Sequence, residues 1–270
     1  MALFKLFKTK KKVPSEKVKK IRPKPHPKKP QHKKIVKPKI KTDVKKEVKI
    51  IKPAIKEIKL DFKKMTDENA YEILKRYRIP LPDYAFCKKE EDLKSALKKI
   101  GFPCVMKVSG DIIHKTNVNG VRLNIKSEEE ALKAFQELMK IKGCNKVFVQ
   151  KMITEGYEII VGGKKDPQFR CVVALGAGGV FTEFLKDVSF RICPVSRSDA
   201  EEMLREVKFS DLILKGFRGQ KPADANSIIE VILSVSKIME NNPQIKELDI
   251  NPLFAMPEKA IAADVRIILE

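Results

Sequence analysis

The chain has 270 residues and a formal net charge of +22, a length that holds one large or two small domains. The charge is lopsided: residues 1–60 carry 23 Lys and Arg against 4 Asp and Glu, whereas residues 61–270 carry 34 against 31. The basic excess therefore belongs to a tail, which excludes a globally basic nucleic-acid-binding domain, and no apolar run approaches the ~18–20 residues of a membrane-spanning helix.

The opening Met1–Lys8 lacks the apolar stretch of a secretory signal. Residues 1–57 are dominated by Lys, Pro, Val and Ile, with prolines at 14, 23, 25, 27, 30, 38 and 53. Like charges repel and prolines remove backbone donors, so this segment reads as disordered or extended. A tether to an anionic partner (RNA, DNA, a membrane face, an acidic protein) and a solvated tail without a ligand both remain open. Phe4 and Phe7 are its only aromatics, which gives base stacking little support.

A folded body is expected over residues 58–270. Thr66-Asp67-Glu68 reads as a cap for a helix with Ala70, Ile73, Leu74 and Tyr77 on one face, ending before Pro80. Tyr84–Cys87 reads as a strand, Glu90–Lys99 as a helix closed by Gly101, and Pro103–Val108 as a buried strand. Gly120–Ile125 alternates like a half-exposed strand. Ser127–Glu130 caps a helix bearing Ala131, Leu132, Phe135 and Leu138. Strands are expected at Lys146–Met152, Glu158–Val161, Arg170–Leu175, Leu248–Phe254 and Ile261–Leu269, and helices at Asp199–Val207 and Ala225–Met239. Short turns between neighbouring strands favour an α/β fold of α+β character, with mixed sheets and antiparallel hairpins, over a doubly wound one. The five cysteines form no C-x-x-C and sit among apolar residues, the usage of a reducing cytoplasm.

Familiar motifs are absent: no Walker A loop, no H-E-x-x-H, no G-x-S-x-G, and Gly176-Ala177-Gly178-Gly179 fails the dinucleotide fingerprint because Phe181 stands at the third glycine. Polar residues at strand ends remain. Lys107 interrupts an apolar strand, where a lysine is costly unless it meets an anion; a snorkelling surface lysine is the plain alternative. Ser109–Gly120 is a polar, glycine-bounded loop holding His114, the one histidine of the body. Its imidazole is either a catalyst or a hydrogen-bonded loop residue. Gln150-Lys151-Met152 ends one strand and Glu158 begins the next. Gly178 and Gly179 belong to a turn whose amides would have free approach to an anion, unless it is a plain hairpin. Glu183, Asp187 and Arg191 alternate along an extended segment. Asp249 and Asn251 share a strand face, and Asp264 would return beside them; these hard oxygens suit Mg²⁺, or form an ordinary polar face.

Taken together, these stretches resemble the ATP-grasp β subunit of ADP-forming (NDP-forming) acetate–CoA ligases, acyl-CoA synthetases related to succinyl-CoA synthetase. The match runs through Gly101-Phe102-Pro103 to Lys107, Ile113–Thr116 with Gly120-Val121, Val149–Met152 with Gly156–Glu158, Asp166–Phe169, the Gly176–Gly179 turn with Glu183, and Glu247–Leu253. The resemblance implies a two-lobed ATP-grasp fold over 58–270, with the basic tail outside it. It implies that Lys107 contacts phosphates, that Gln150, Lys151 and Met152 line the adenine side, that Glu158 faces the nucleotide, and that Gly178 and Gly179 also bind it. Asn251 and Asp264 would hold Mg²⁺ with Asp249 nearby, and His114 would be a second phosphoryl carrier. The implied reaction is acyl-CoA + ADP + phosphate ⇌ carboxylic acid + ATP + CoA, with phosphate passing through a phosphohistidine on a separate CoA-binding α subunit. Another ATP-grasp carboxylate ligase, and a non-catalytic nucleotide-binding or anchoring protein, stay open.

Overall fold

The computed structural model describes residues 63–110, 112, 115, 118–178, 187–217 and 219–270. The expected tail, His114, Gly179 and Glu183 lie outside the described residues. In chain order the elements are α1 (Asp67–Arg76), β1 (Tyr84–Cys87), α2 (Glu90–Ile100), β2 (Cys104–Gly110), β3 (Val121–Ile125), α3 (Glu128–Met139), β4 (Cys144–Lys151), β5 (Tyr157–Asp166), β6 (Arg170–Ala177) and β7 (Val188–Ile192). They continue with α4 (Arg197–Glu206), α5 (Ser210–Lys215), α6 (Ala225–Asn241), β8 (Ile245–Ala255), β9 (Ala260–Ala262) and β10 (Val265–Leu269).

Side-chain caps start the principal helices. Thr66 accepts the Asn69 amide at α1, Ser127 that of Glu130 at α3, and Asp224 those of Asn226 and Ser227 at α6, satisfying amides that have no partner within the helix. The strands form two antiparallel sheets, one ordered β1-β4-β2-β3 and the other β10-β8-β5-β6-β7 with β9 paired to β8. Helices α2 and α3 cover one face of the smaller sheet, where Leu93, Leu97, Phe135 and Leu138 pack against Met106, Val108 and Val149. Helices α4 and α6 cover one face of the larger sheet, where Ile228, Ile232 and Val235 meet Val161, Val173 and Leu248.

Some strand limits differ from expectation. Strand β5 runs on through Gly162-Gly163 to Asp166, past the expected end at Val161. A Cβ at Gly163 would lie 2.4 Å from Met239 Cγ, so the glycine lets α6 approach the sheet. The expected Ile261–Leu269 strand is divided into β9 and β10, with Ala263 and Asp264 between them. That break positions the site.

Helix α1 joins the two sheets. The Met65 amide donates to Ile267 O on β10 at 2.9 Å. On its other side, the Tyr71 ring packs on Phe148 at 4.7 Å and Tyr84 at 5.0 Å between centroids. Both are inner-face residues of the smaller sheet. Among the described residues no helix is long and apolar enough to cross a membrane.

Candidate functional site

Strand β2 is buried along nearly its whole length, and alternation decides what its polar residues meet. Met106 and Val108 enter the helix-covered core. Lys107 faces the other way, opposite Phe148 of β4, and is only 7% exposed. Its Nζ donates to Ala263 O at 2.8 Å and Asp264 Oδ1 at 3.3 Å, and lies 5.7 Å from the Phe148 ring centroid. Burial pulls Lys107 below the ordinary lysine range, and Asp264 offsets part of that pull. For Asp264, burial opposes the charge, but Lys107 and then Lys115 outweigh it and hold the carboxyl below its usual range.

A buried charge persists only where it is paired, and here five charges form a chain of alternating sign. Lys115 Nζ lies 3.4 Å from Asp264 Oδ1 and 3.4 Å from Asp67 Oδ1; Lys64 Nζ lies 3.0 Å from the same Asp67 oxygen. Lys64 also donates to Ile112 O at 2.9 Å. Burial works against the charge on Lys115, but Asp264 and Asp67 outweigh it and raise its pKa. Lys64, Asp67 and Lys115 were not singled out from the sequence. Asp67 read as an ordinary acidic residue of a helix start, and its partner lies far along the chain.

The amide of Asn251 donates to Asp264 O at 3.1 Å, so these two residues adjoin, with Asn251 exposed and Asp264 partly so. Both lysine contacts to Asp264 use Oδ1. Among the described residues no three His, Cys, Asp or Glu converge as a protein metal cage. Mg²⁺ commonly takes only one or two protein oxygens alongside phosphates, and an ionised carboxylate beside an exposed carboxamide fits that chemistry.

Asp249 stands differently. It faces Arg266 across the β8–β10 pair, with Arg266 Nη2 at 3.5 Å and Glu247 sharing the guanidinium at 3.0 Å. Burial raises its pKa and Arg266 opposes the rise. Asp249 thus makes a cross-strand ion pair, and the nearby Asp264 adds to the rise in its pKa.

The expected adenine-side residues divide between two faces. Gln150 lies on the Lys107 face of the smaller sheet, is buried, and its Oε1 has no protein hydrogen-bond partner. Such an acceptor costs ~1–3 kcal/mol when left unpaired, so a donor from a ligand would be favoured there. Lys151 points to the opposite face, where its Nζ donates to Phe102 O at 2.7 Å; its side chain is thereby removed from the expected lining. Met152 follows β4, its amide donating to Pro103 O at 3.1 Å. Glu158 is exposed on β5, opposite Phe254.

Gly178 corrects another expectation. The preceding Leu175-Gly176-Ala177 is strand rather than turn, and the Gly178 amide donates to Glu158 O at 2.9 Å. That amide is not free for an anion. A Cβ at Gly178 would lie 2.5 Å from the Glu158 carbonyl carbon and oxygen, so glycine serves close approach of the backbone.

Residues 58–269 match the ATP-grasp domain family. The chain is 43% identical over 223 residues to the acetate–CoA ligase [ADP-forming] I subunit beta of Pyrococcus furiosus, covering 80% of this chain and 96% of that one. It is 44% identical over 198 residues to acetate–CoA ligase [ADP-forming] II of Archaeoglobus fulgidus, covering 73% of this chain and 29% of that longer one. Among solved structures, it resembles the dinucleotide forming acetyl-coenzyme A synthetase 1 of Ca. Korarchaeum cryptofilum in complex with coenzyme A, Ca-AMPCP and HgCl+ (TM-score 0.72, 38% identity, 77% of this chain and 94% of that one). A second structure of that enzyme contains coenzyme A and Mg-AMPPCP, with its phosphohistidine segment pointing towards the nucleotide binding site (TM-score 0.68, 38% identity, 77% and 93% covered).

Proposed function

Because this chain belongs to the ATP-grasp family of ADP-forming acetate–CoA ligase β subunits, we propose that it is the nucleotide-binding subunit of an ADP-forming acyl-CoA synthetase. With a separate CoA-binding α subunit it interconverts acyl-CoA, ADP and phosphate with carboxylic acid, ATP and CoA. The observation that carries this reading is the meeting of Lys107 from one sheet with Asp264 from the other at 3.3 Å, beside Asn251. It places a buried cation and hard oxygen donors at one point, as a polyphosphate requires.

Phosphoryl transfer asks the protein mainly for positioning and charge compensation. Lys107 would hold phosphate oxygens and Gln150 would accept a hydrogen bond from the base. Glu158 would face the nucleotide. Asp264 and Asn251 would hold Mg²⁺, which when bound neutralises phosphate charge. Phosphate would travel by a phosphohistidine on the α subunit, with His114, outside the described residues, as the carrier on this chain. The match to 96% of a separate β subunit, against 29% of a longer relative, supports a CoA-binding half on another polypeptide. The five free cysteines support a reducing, cytoplasmic setting.

Reconstitution tests the reading. Acetyl-CoA, ADP, phosphate and Mg²⁺ are supplied to the chain, to a CoA-binding α subunit, and to both. ATP is expected only from the mixture. Full turnover by the isolated chain would overturn the two-subunit assignment, and nucleotide binding without ATP formation with any such partner would favour a non-catalytic protein.

A further inference from the structure

Two ammonium groups converge on one oxygen. Lys107 Nζ lies 3.3 Å and Lys115 Nζ 3.4 Å from Asp264 Oδ1. They reach it from different places: Lys107 from β2, and Lys115 from the connection between β2 and β3, directly after His114 in the sequence. Beyond Lys115, Asp67 is almost wholly buried and lies 3.4 Å from Lys115 Nζ and 3.0 Å from Lys64 Nζ. No hydrogen-bond partner satisfies either Asp67 oxygen, so the carboxylate is held by these two cations. A carboxylate in that position is costly unless its partners stay charged and close.

The two aspartates therefore differ in what they can do. Asp264 is 31% exposed at its side chain and adjoins Asn251, so it can turn to a ligand. Asp67 is sealed behind the lysines and cannot. Were Asp264 drawn towards an incoming cation, Lys115 would still be fixed by Asp67, its ammonium freed for an anion beside that of Lys107. We propose that Lys115 is a second phosphate-binding residue of this nucleotide site, and that Asp67, from the first turn of α1, is the positioning residue that holds it there. The proposal rests on the nucleotide-binding reading above and adds to it a residue pair. It also gives α1 a task beyond packing. Met65, just before the helix, is tied to β10 and Tyr71 of the helix packs on the smaller sheet, so the intervening Asp67 carries the placement of both sheets to Lys115.

Calorimetric titration of the full chain with Mg²⁺–ADP tests this, using Lys107→Met, Lys115→Met, Lys115→Arg, Asp67→Asn and the double variant Asp67→Asn/Lys115→Met. Loss of one charge-assisted contact predicts about tenfold or greater weakening in Lys115→Met, with Lys115→Arg recovering most of it. Asp67→Asn is expected to weaken binding severalfold on its own, but to add less than twofold once Lys115 is Met. A purely structural Asp67 would instead give additive losses, and that outcome overturns its positioning role. If Lys107→Met weakens binding while Lys115→Met matches the wild type, the inference fails and the nucleotide reading stands. If the wild type binds no Mg²⁺–ADP, the reading itself fails. Should Asp67→Asn not fold, the contrast between Lys115→Met and Lys115→Arg decides: equal affinities for the two overturn the proposal.

Discussion

Replacing Lys107 with methionine separates binding from folding more sharply than any other single change. The substitution keeps the length of the side chain in the strand but removes its charge. Two acceptors lose a donor, yet each keeps another: Ala263 O retains the Tyr71 hydroxyl at 3.1 Å, and Asp264 Oδ1 retains Lys115 at 3.4 Å. Burial already opposes the charge on Lys107, so its removal also relieves a desolvation cost. The net loss of stability should stay below ~1.5 kcal/mol, which for a domain of this size lowers the unfolding midpoint by about 3–6 °C. Binding responds differently, because the phosphate contact has no substitute donor on that strand. A charge-assisted contact is worth ~1.5–3 kcal/mol, which weakens the Kd for Mg²⁺–ADP by ~10- to 150-fold. Scanning calorimetry reads the first effect and calorimetric titration the second. A variant that folds and binds within twofold of the wild type would refute the placement of phosphate at Lys107.

Four further outcomes follow from the same geometry. Asn251→Ala and Asp264→Ala should each raise the Mg²⁺ concentration needed for half-maximal ATP synthesis in the reconstituted enzyme, and unchanged Mg²⁺ curves in both would remove them as ligands. Asp264 has a native pKa below its ordinary value, so its stabilising effect is present above the unfolded carboxyl value of ~3.9 and lost as pH falls through the native one; the gap in unfolding midpoint between wild type and Asp264→Asn should be wide at pH 7 and close below about pH 4. Gly178→Ala drives a Cβ to 2.5 Å from the Glu158 backbone and should cost ~1–3 kcal/mol, measured by denaturant titration, where an unchanged midpoint would show that the β5–β6 contact yields freely. Deleting residues 1–57 should leave Mg²⁺–ADP affinity unchanged, while any polyanion binding of the full chain should weaken steeply with salt; a truncated chain that no longer binds nucleotide would contradict this.

Much of the scaffold was legible because its signals are local. Thr66 and Ser127 announce their helices within three residues, and the apolar stripes of α1 and α3 follow directly. The run of β5 beyond Val161 is less legible, because the reason for Gly163 is Met239 on a helix far along the chain. The site shows the same division. Lys107 stood out as a charge inside an apolar strand, a contradiction visible in a few residues. Lys115 and Asp67 look like ordinary loop and helix-start residues until the fold brings them together, with Lys115 reaching Asp264 across 149 positions. The pairing of Asp249 with Arg266 is hidden in the sequence because strand register, which sets the two opposite, is not written in spacing. Gln150 and Lys151 divide for a related reason: neighbours on a strand face opposite ways, so their side chains meet different surroundings.

The most direct test is a crystal structure of the chain with Mg²⁺–ADP. Phosphate oxygens are expected within ~3 Å of Lys107 Nζ, a charge-assisted hydrogen-bond distance, with the metal on Asp264 and Asn251 and the base against Gln150. A nucleotide bound elsewhere, with the Lys107–Asp264 contact undisturbed and no phosphate beside it, would contradict this placement.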